Sequence, residues 1–161
     1  MLKRNATRRL AQIDRQIAAI DAALKARLRG EPELVERFEI FVSIPGIGAL
    51  TAITMLIEMP ELGQLDNRQV ASLAGLAPIV RDSGQHRGKR RIHGGRAILR
   101  QALYMPGLVA ARYNTDMKAK YQALVAACKP AKVAITAVMR KLVILANELL
   151  RANRPWTQEM A

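Results

Sequence analysis

Apolar side chains recur at helical spacing from the start of the chain. Between Leu2 and Arg29 they alternate three and four residues apart, which is the spacing of a heptad seam: Leu10, Ile13, Ile17, Ile20 and Leu24. The pattern predicts one continuous helix. Its seam would pair with a second copy of the chain or pack on its own domain. The seam is narrow and the other faces are charged or alanine, which favours a homodimer through residues 10–24.

Helical spacing returns after the break at Gly30-Glu31-Pro32 and, apart from the polar segment over 81–95, continues almost to the C-terminus. Helices are predicted from Pro32 to Ser43, from Leu50 to Met59, from Asp66 as N-cap to Ala74, from about Arg96 to Tyr113 with a bend at Pro106-Gly107, from a cap at Thr115 or Asp116 to near Cys128, and from Pro130 to about Ala152. Ile79-Val80 is the one candidate for a short strand. We therefore predict an all-α fold, with a coiled-coil-type helix over 1–30 and a compact helical domain over 31–161.

Composition indicates the kind of partner. Half of the 161 residues are apolar, and 26 Lys and Arg against 13 Asp and Glu give a net charge of +13. Such an excess of positive charge favours a polyanionic partner. A single cysteine and two histidines argue against a disulfide framework and a Cys- or His-rich metal site. Aromatic residues make up only 4%, which argues against the stacking platforms of RRM or OB domains.

No segment looks like a targeting signal or a membrane span. The first five residues are basic but no apolar run follows them, and the apolar stretch over 133–150 contains Arg140, Lys141 and Glu148. We expect a cytoplasmic protein without a membrane partner.

The turn Ile44-Pro45-Gly46-Ile47-Gly48 lies between two apolar helices and resembles a helix-hairpin-helix motif over 38–59. Gly46 and Gly48 permit positive φ and close backbone approach, and the free N–H groups of the next helix would bind a phosphate. The alternative is a tight turn without a ligand, and no Lys or Arg lies beside it.

A basic Ser-Gly loop is predicted over 81–95, leading into the next helix. Seven cations lie between residues 81 and 100, against the single acid Asp82: Arg81, Arg87, Lys89, Arg90, Arg91, Arg96 and Arg100. Arg96 and Arg100 are four residues apart and would share a helical face. We predict a phosphate clamp, with a solvated charged loop or a nonspecific RNA or membrane-surface patch as the alternative.

Ser83 is the one serine among these cations. A serine hydroxyl is a nucleophile only when a base accepts its proton, and Asp82, His86 and His93 are the nearby candidates. Arginines would stabilise the charge that develops on an attacked phosphate. From the residues alone, a Ser-Gly turn without catalytic function is the more common case.

Several ordered motifs between about Phe38 and Trp156 resemble one known family. They are Ser43 to Gly48 followed by Thr51-Ala52, Leu73 to Pro78, Asp82-Ser83-Gly84, Gly88 to Ile92, Gly95-Arg96, Leu99-Arg100 and Arg140-Lys141-Leu142. Together they resemble the C-terminal domain of the IS-one-ten-type insertion-sequence transposases, which are bridge-RNA-guided recombinases.

The resemblance implies a fold, a chemistry and partners. In that family a RuvC-like domain with a DEDD acidic cluster binds Mg²⁺, and a coiled coil joins it to a C-terminal domain whose serine attacks a DNA phosphate. By its place in Asp-Ser-Gly, Ser83 matches that serine, and residues 2–29 match the end of the coiled coil. The implied partners are DNA, a structured noncoding bridge RNA and further copies of the protein.

The sequence also departs from the family pattern, since no RuvC-like domain is recognisable and the acids are scattered. We expect no metal site or cofactor in this chain, and a truncated reading frame or isolated C-terminal portion whose recombinase activity needs the acidic domain. Two alternatives remain: a non-catalytic nucleic-acid-binding module, and an inactive relic that dimerises with full-length transposase.

Overall fold

The computed structural model describes residues 2–80, 88 and 90–157. The chain divides into two compact units, Met1–Glu36 and Arg37–Ala161. The predicted division after residue 30 lies at the turn between the first two helices, inside the first unit.

The first unit contains one long helix, α1, over Leu2–Arg29, as predicted. It ends in a turn in which the N–H of Gly30 bonds to the carbonyl of Arg27, and Pro32 then opens α2, Pro32–Ser43. The seam residues Leu10 and Ile20 are 62% and 60% exposed, and Ile13 and Ile17 are also exposed. Within this chain the apolar seam of α1 is therefore open to solvent.

The second unit contains the remaining elements. In chain order they are α3, Ala49–Glu58; α4, Asn67–Leu73; strands β1, Pro78–Ile79, and β2, Arg91–Ile92; then α5, Ala97–Ala102; α6, Tyr104–Tyr113; α7, Thr115–Ala126; and α8, Ala131–Arg151. Eight helices and one two-stranded ribbon in the described residues confirm the all-α prediction. Asp66 caps α4 in a capping box with Gln69, also as predicted.

Helix α8 forms the centre of the second unit and packs against α4, α6 and α7. One face of it is buried along its whole length: Ala134, Ile135, Val138, Met139, Leu142, Val143, Ala146, Asn147 and Leu149. Gly107 allows α6 to approach closely, because a Cβ there would lie 2.7 Å from Cγ of Met139. The core consists mainly of aliphatic side chains and methionine, with little aromatic contribution.

Three boundaries differ from the sequence predictions. The helix predicted over 96–113 is interrupted at Leu103, not at Pro106-Gly107. Pro106 has no N–H for the carbonyl of Ala102, so the interruption falls one turn earlier and Pro106 occupies the first turn of α6. Asn114, rather than Thr115 or Asp116, caps α7, and its side chain accepts from the N–H of Met117. The short strand predicted at Ile79-Val80 lies one residue earlier, at Pro78–Ile79, and it pairs with the second strand, Arg91–Ile92.

Candidate nucleic-acid interface

The two-stranded ribbon brackets the basic loop. Strands β1 and β2 are antiparallel, with Pro78 opposite Ile92 and Ile79 opposite Arg91, so the ends of segment 80–90 are held side by side. Arg90 and Arg91 are exposed at this base. Four predicted site residues lie outside the described residues and stay predictions: Ser83, Arg81, Arg87 and Lys89.

The residues at the end of the basic loop, Gly94 to Arg96, pack against the C-terminal end of α4. Gly75, Gly94 and Gly95 have φ between +63° and +71°, a region that favours glycine. A Cβ on Gly95 would lie 2.6 Å from the carbonyl oxygen of Leu73 and closer still to the backbone nitrogen of Gly75. The N–H of Arg96 donates to that same Leu73 carbonyl at 2.8 Å. The backbone therefore fixes where the loop ends.

An ion pair between Arg96 and Glu61 also holds the residues at the end of the loop. Two guanidinium nitrogens of Arg96 donate to the two carboxylate oxygens of Glu61 at 2.8 and 2.6 Å. These hydrogen bonds lower the pKa of Glu61 to about 2, because they stabilise the carboxylate. The carboxylate of Glu61 therefore stays charged over the whole physiological pH range.

The segment that carries Glu61 is itself tied to the core. Arg37 donates to the carbonyls of Pro60 and Leu62 at 2.7 and 3.1 Å. The buried Asn147 of α8 accepts from the N–H of Gly63 at 2.8 Å and donates to the carbonyl of Leu65 at 2.9 Å. The backbone on both sides of Glu61 is therefore held by hydrogen bonds, and these fix the position from which Glu61 pairs with Arg96.

The structure assigns protein partners to two cations that the sequence placed in the phosphate clamp. Arg96 binds Glu61, and Arg100 donates to the carbonyl of Gly94 at 2.6 Å. Nor do the two share a helical face, because Arg96 is the N-cap of α5 in extended conformation and only Arg100 lies in the helix. Both guanidinium groups brace the loop, and their contact with phosphate stays a prediction.

The two hairpin glycines differ in their surroundings. Gly46 has φ +105°, and a Cβ there would lie 3.0 Å from the carbonyl oxygen of Pro106 and 3.2 Å from Cβ of Ala110. It therefore serves the close approach of the hairpin to α6. Gly48 is exposed with open space around it, and it begins α3 without a side-chain cap. Phosphate binding by this hairpin stays a prediction, with Gly48 as the glycine that faces solvent.

A groove of about 1100 Å³ opens beside the ribbon, between α6, α7 and α8. Its apolar lining includes Ile92, Tyr104 and Val133, which are 37%, 44% and 51% exposed. Among the described residues, no acid lines it and seven cations do: Arg90, Arg91, Lys120, Lys129, Lys132, Arg140 and Lys141. Lys141 pairs with Asp116 at 3.6 Å, and the other six make no ion pair with a described residue. The groove therefore combines an apolar surface with unneutralised positive charge.

Arg140 is the most constrained of these cations. It is half-buried in α8, and its Nε is shielded from solvent with no hydrogen-bond partner among the described residues. A buried donor left without an acceptor costs about 1–3 kcal/mol. An anionic group in the groove would supply the acceptor that this N–H lacks.

Two residues that hold the site together, Glu61 and Asn147, were not predicted from the sequence. Glu61 and Asn147 carried no motif, and the signal for Asn147 was a lone amide in a strongly apolar helix. Lys120, Lys129 and Lys132 had no special spacing, and they converge only because α7 and α8 form one wall of the groove. In the described residues, no three His, Cys, Asp or Glu side chains cluster as metal ligands, and no helix is long and apolar enough to cross a bilayer.

Comparison with known proteins decides the family. The sequence profile described as "Transposase IS116/IS110/IS902 family" matches residues 38–122, the region that contains the hairpin, the ribbon and Lys120 of the groove. The chain belongs to this transposase family. This confirms the resemblance drawn from the ordered motifs.

Individual relatives of this transposase-family chain agree. It is 31% identical over 149 residues to a "Pilin gene-inverting protein" of Moraxella bovis, covering 89% of this chain and 46% of that protein. It is 32% identical over 115 residues to the "Insertion element IS900 uncharacterized 42 kDa protein" of Mycobacterium paratuberculosis, covering 68% of this chain and 27% of that protein. The chain thus spans less than half the length of these relatives.

Proposed function

We propose that this chain acts as the C-terminal portion of an insertion-sequence transposase, which binds DNA backbone in the cytoplasm and supplies Ser83 as a nucleophile for strand exchange. The observation that carries the proposal is the paired ribbon at the base of segment 80–90. It is braced by the Glu61–Arg96 ion pair and the Gly75–Gly95 contact, beside a groove lined by cations. A nucleophile needs such a fixed base, because strand exchange requires in-line geometry at phosphorus.

The proposed step is a transesterification at phosphorus. Ser83 Oγ forms a bond to the phosphorus as the bond to one deoxyribose oxygen breaks. The serine proton passes to a base, for which Asp82, His86 and His93 are the candidates, and the leaving oxygen takes up a proton. Cations of the loop stabilise the extra negative charge on the phosphate. Attack by a hydroxyl of the recipient strand then reverses the step and frees the serine.

The resemblance also implies magnesium and a bridge RNA. Nothing in the described residues fits a magnesium ion, since no three potential ligands converge there, and no step here passes through one. We assign magnesium to a RuvC-like acidic domain outside these residues. The RNA is proposed as a partner of the assembled transposase, on the strength of the family resemblance alone.

The exposed seam of α1 supports a second element of the proposal, self-association. Four apolar seam residues are open to solvent along about three turns, and pairing with a second copy would bury them. The same seam also favours the relic interpretation, in which the chain acts only by dimerising with full-length transposase. Two copies joined in this way would bring two Ser83 segments to one DNA.

The test has two parts. Binding of the chain to duplex DNA and structured RNA is measured over a salt series, for the wild type and for an Arg90→Ala, Arg91→Ala variant, which leaves the bracing residues Arg96 and Arg100 in place. A salt slope near −5 that flattens in the variant would support phosphate contacts by the loop. Equal slopes would contradict them.

The second part traps the nucleophile. The chain is mixed with end-labelled, nicked DNA, and a covalent adduct that survives denaturing electrophoresis is measured for wild type, Ser83→Ala and Ser72→Ala. Ser72 is an exposed serine on α4 and serves as the matched control. We expect an adduct in the wild type and the Ser72 variant only, with DNA affinity almost unchanged in all three. Binding without an adduct in the wild type would mean that the serine step needs the acidic domain or that the chain is a non-catalytic module.

A further inference from the structure

The groove beside the ribbon differs from a surface made only for duplex backbone. A duplex presents phosphates and covers its base faces by stacking, so it pairs with cations but leaves apolar side chains in water. Here Ile92, Tyr104 and Val133 are large, part-exposed apolar residues that line the groove together with the cations. A ligand that covers both the apolar residues and the cations must carry a flat apolar surface as well as negative charge.

We propose that this groove binds a short single-stranded segment of nucleic acid, with at least one unpaired base against Tyr104 and its phosphates on Lys120, Lys129 and Lys132. The inference rests on the proposed function, because the strand is taken to be part of the nucleic acid handled by the Ser83 segment. An unpaired base offers a π face that stacks on an aromatic ring without regard to sequence. The three lysines supply phosphate contacts along one wall.

The size of the groove is compatible with a short polymer segment. Its volume, about 1100 Å³, lies at the upper limit of the ~300–1,000 Å³ of typical small-molecule pockets. Pro78, Arg91 and Ile92 of the ribbon line it. A strand bound in the groove would therefore lie beside the base of segment 80–90.

Arg140 gives a second, independent indication of an anionic ligand. Its Nε is a buried donor that lacks an acceptor among the described residues, and the side chain lines the groove. A phosphate or base carbonyl oxygen would accept this hydrogen bond. An acidic peptide would also match the charge, but carboxylate side chains would leave the face of Tyr104 uncovered.

The decisive experiment compares single-stranded and duplex probes on the 161-residue chain. Fluorescence anisotropy is measured with a labelled twelve-nucleotide oligothymidine and with a duplex of the same length. The variants are Tyr104→Ala, Tyr104→Phe and, as a matched control, Tyr113→Ala, which removes a more exposed tyrosine of the same helix outside the groove. Thermal unfolding checks that each variant is folded.

We expect Tyr104→Ala to raise the Kd for the single strand about tenfold, as loss of one base–aromatic stack should. Tyr104→Phe and Tyr113→Ala should stay within about twofold of wild type, and none of the three should change duplex binding. Equal weakening of single strand and duplex, or no effect of Tyr104→Ala, would overturn the proposal. So would a glutamate-rich peptide that competes as well as unlabelled oligothymidine.

A charge-matched pair of triple variants tests the lysine wall. Lys120, Lys129 and Lys132 are changed to alanine in one variant, and Arg68, Arg112 and Lys118, exposed cations outside the groove, in the other. The salt slope for oligothymidine should fall by about 2 in the first variant, because each lost single-strand phosphate contact contributes ~0.7. Equal slopes in the two variants would count against the groove.

These results are separable from the fate of the serine chemistry. The groove proposal predicts that Ser83→Ala binds oligothymidine as wild type does, whereas the proposed function predicts that this variant forms no adduct. Loss of the adduct with intact groove binding supports both. Intact groove binding without any wild-type adduct retains the groove and rejects Ser83 as a nucleophile of the chain acting alone.

Discussion

Glu61 and Arg96 face each other across 35 residues of sequence and are joined by two hydrogen bonds of 2.8 and 2.6 Å. One residue stands on a turn held by Arg37 and Asn147, and the other closes the basic loop at the start of α5. Charge-assisted, two-point pairing of this kind fixes orientation as well as distance. The pair therefore links the core of the domain to the base of segment 80–90.

Replacing Glu61 by Gln should loosen this link at neutral pH. Because the pair is part-exposed, we expect a loss of about 1 kcal/mol in the free energy of unfolding, the upper end for surface pairs. The measurement is urea unfolding at pH 7, with Glu39→Gln, an exposed glutamate on α2, as control. A Glu61 variant as stable as the control would mean that the pair contributes nothing measurable.

The pH dependence follows from the lowered pKa. Folding holds the pKa of Glu61 at about 2, against an ordinary value of 4.5, so its contribution is fully present above about pH 4.5. It is lost as the pH falls from there towards 2. The difference in stability between wild type and Glu61→Gln should therefore shrink between pH 5 and pH 2.5. A difference that stays constant over this range would contradict the assignment.

Periodicity was enough to predict most of the helices. The extent of α1 follows from the spacing of its apolar residues, and the Asp66 cap follows from capping chemistry. Each depends on residues that are close together in sequence. The interruption at Leu103 was misplaced by three residues because a proline disturbs the carbonyl one turn before it. Asn114 was overlooked as a cap since Thr115 and Asp116, both good capping residues, follow it directly.

The candidate site was predictable only in part. The basic loop and its glycines are contiguous in sequence, so they stood out at once. The roles of Arg96 and Arg100 could not be seen, because their partners are Glu61, distant in sequence, and a backbone carbonyl at Gly94. The groove is likewise a product of tertiary packing, in which two helices and a ribbon bring scattered lysines around Tyr104.

Gly95→Ala should be far more damaging than Gly94→Ala. Both glycines have positive φ, which costs an L-residue about 1–2 kcal/mol. Only at Gly95 would the new Cβ also collide with backbone atoms of Leu73 and Gly75, whereas at Gly94 it would meet open space. We expect at least ~2 kcal/mol more destabilisation for Gly95→Ala, since packed backbone can hardly yield. Thermal unfolding of the two variants measures it, and similar melting temperatures would refute the close contact.

Asn147→Leu should destabilise the second unit despite adding an apolar residue to its core. The substitution leaves the part-buried N–H of Gly63 without its acceptor, which costs about 1–3 kcal/mol. It also removes one of two donors to the carbonyl of Leu65, which keeps its bond from Arg151. Leu142→Met is the control, because it changes a buried aliphatic residue of the same helix without touching a hydrogen bond. Urea unfolding should place Asn147→Leu well below that control. Equal stability would mean that water replaces the amide.

The seam of α1 predicts a concentration-dependent dimer. Changing Ile13 and Ile17 together to Glu places charge in the centre of the seam, which is incompatible with burial against a second copy. Sedimentation equilibrium should give a dimer for wild type and a monomer for this variant. Ala11→Glu with Ala18→Glu is the control, since both alanines lie on α1 outside the seam and carry the same charge change. A dimer that survives the isoleucine changes, or a monomeric wild type at tens of micromolar, would remove the seam as the contact between copies.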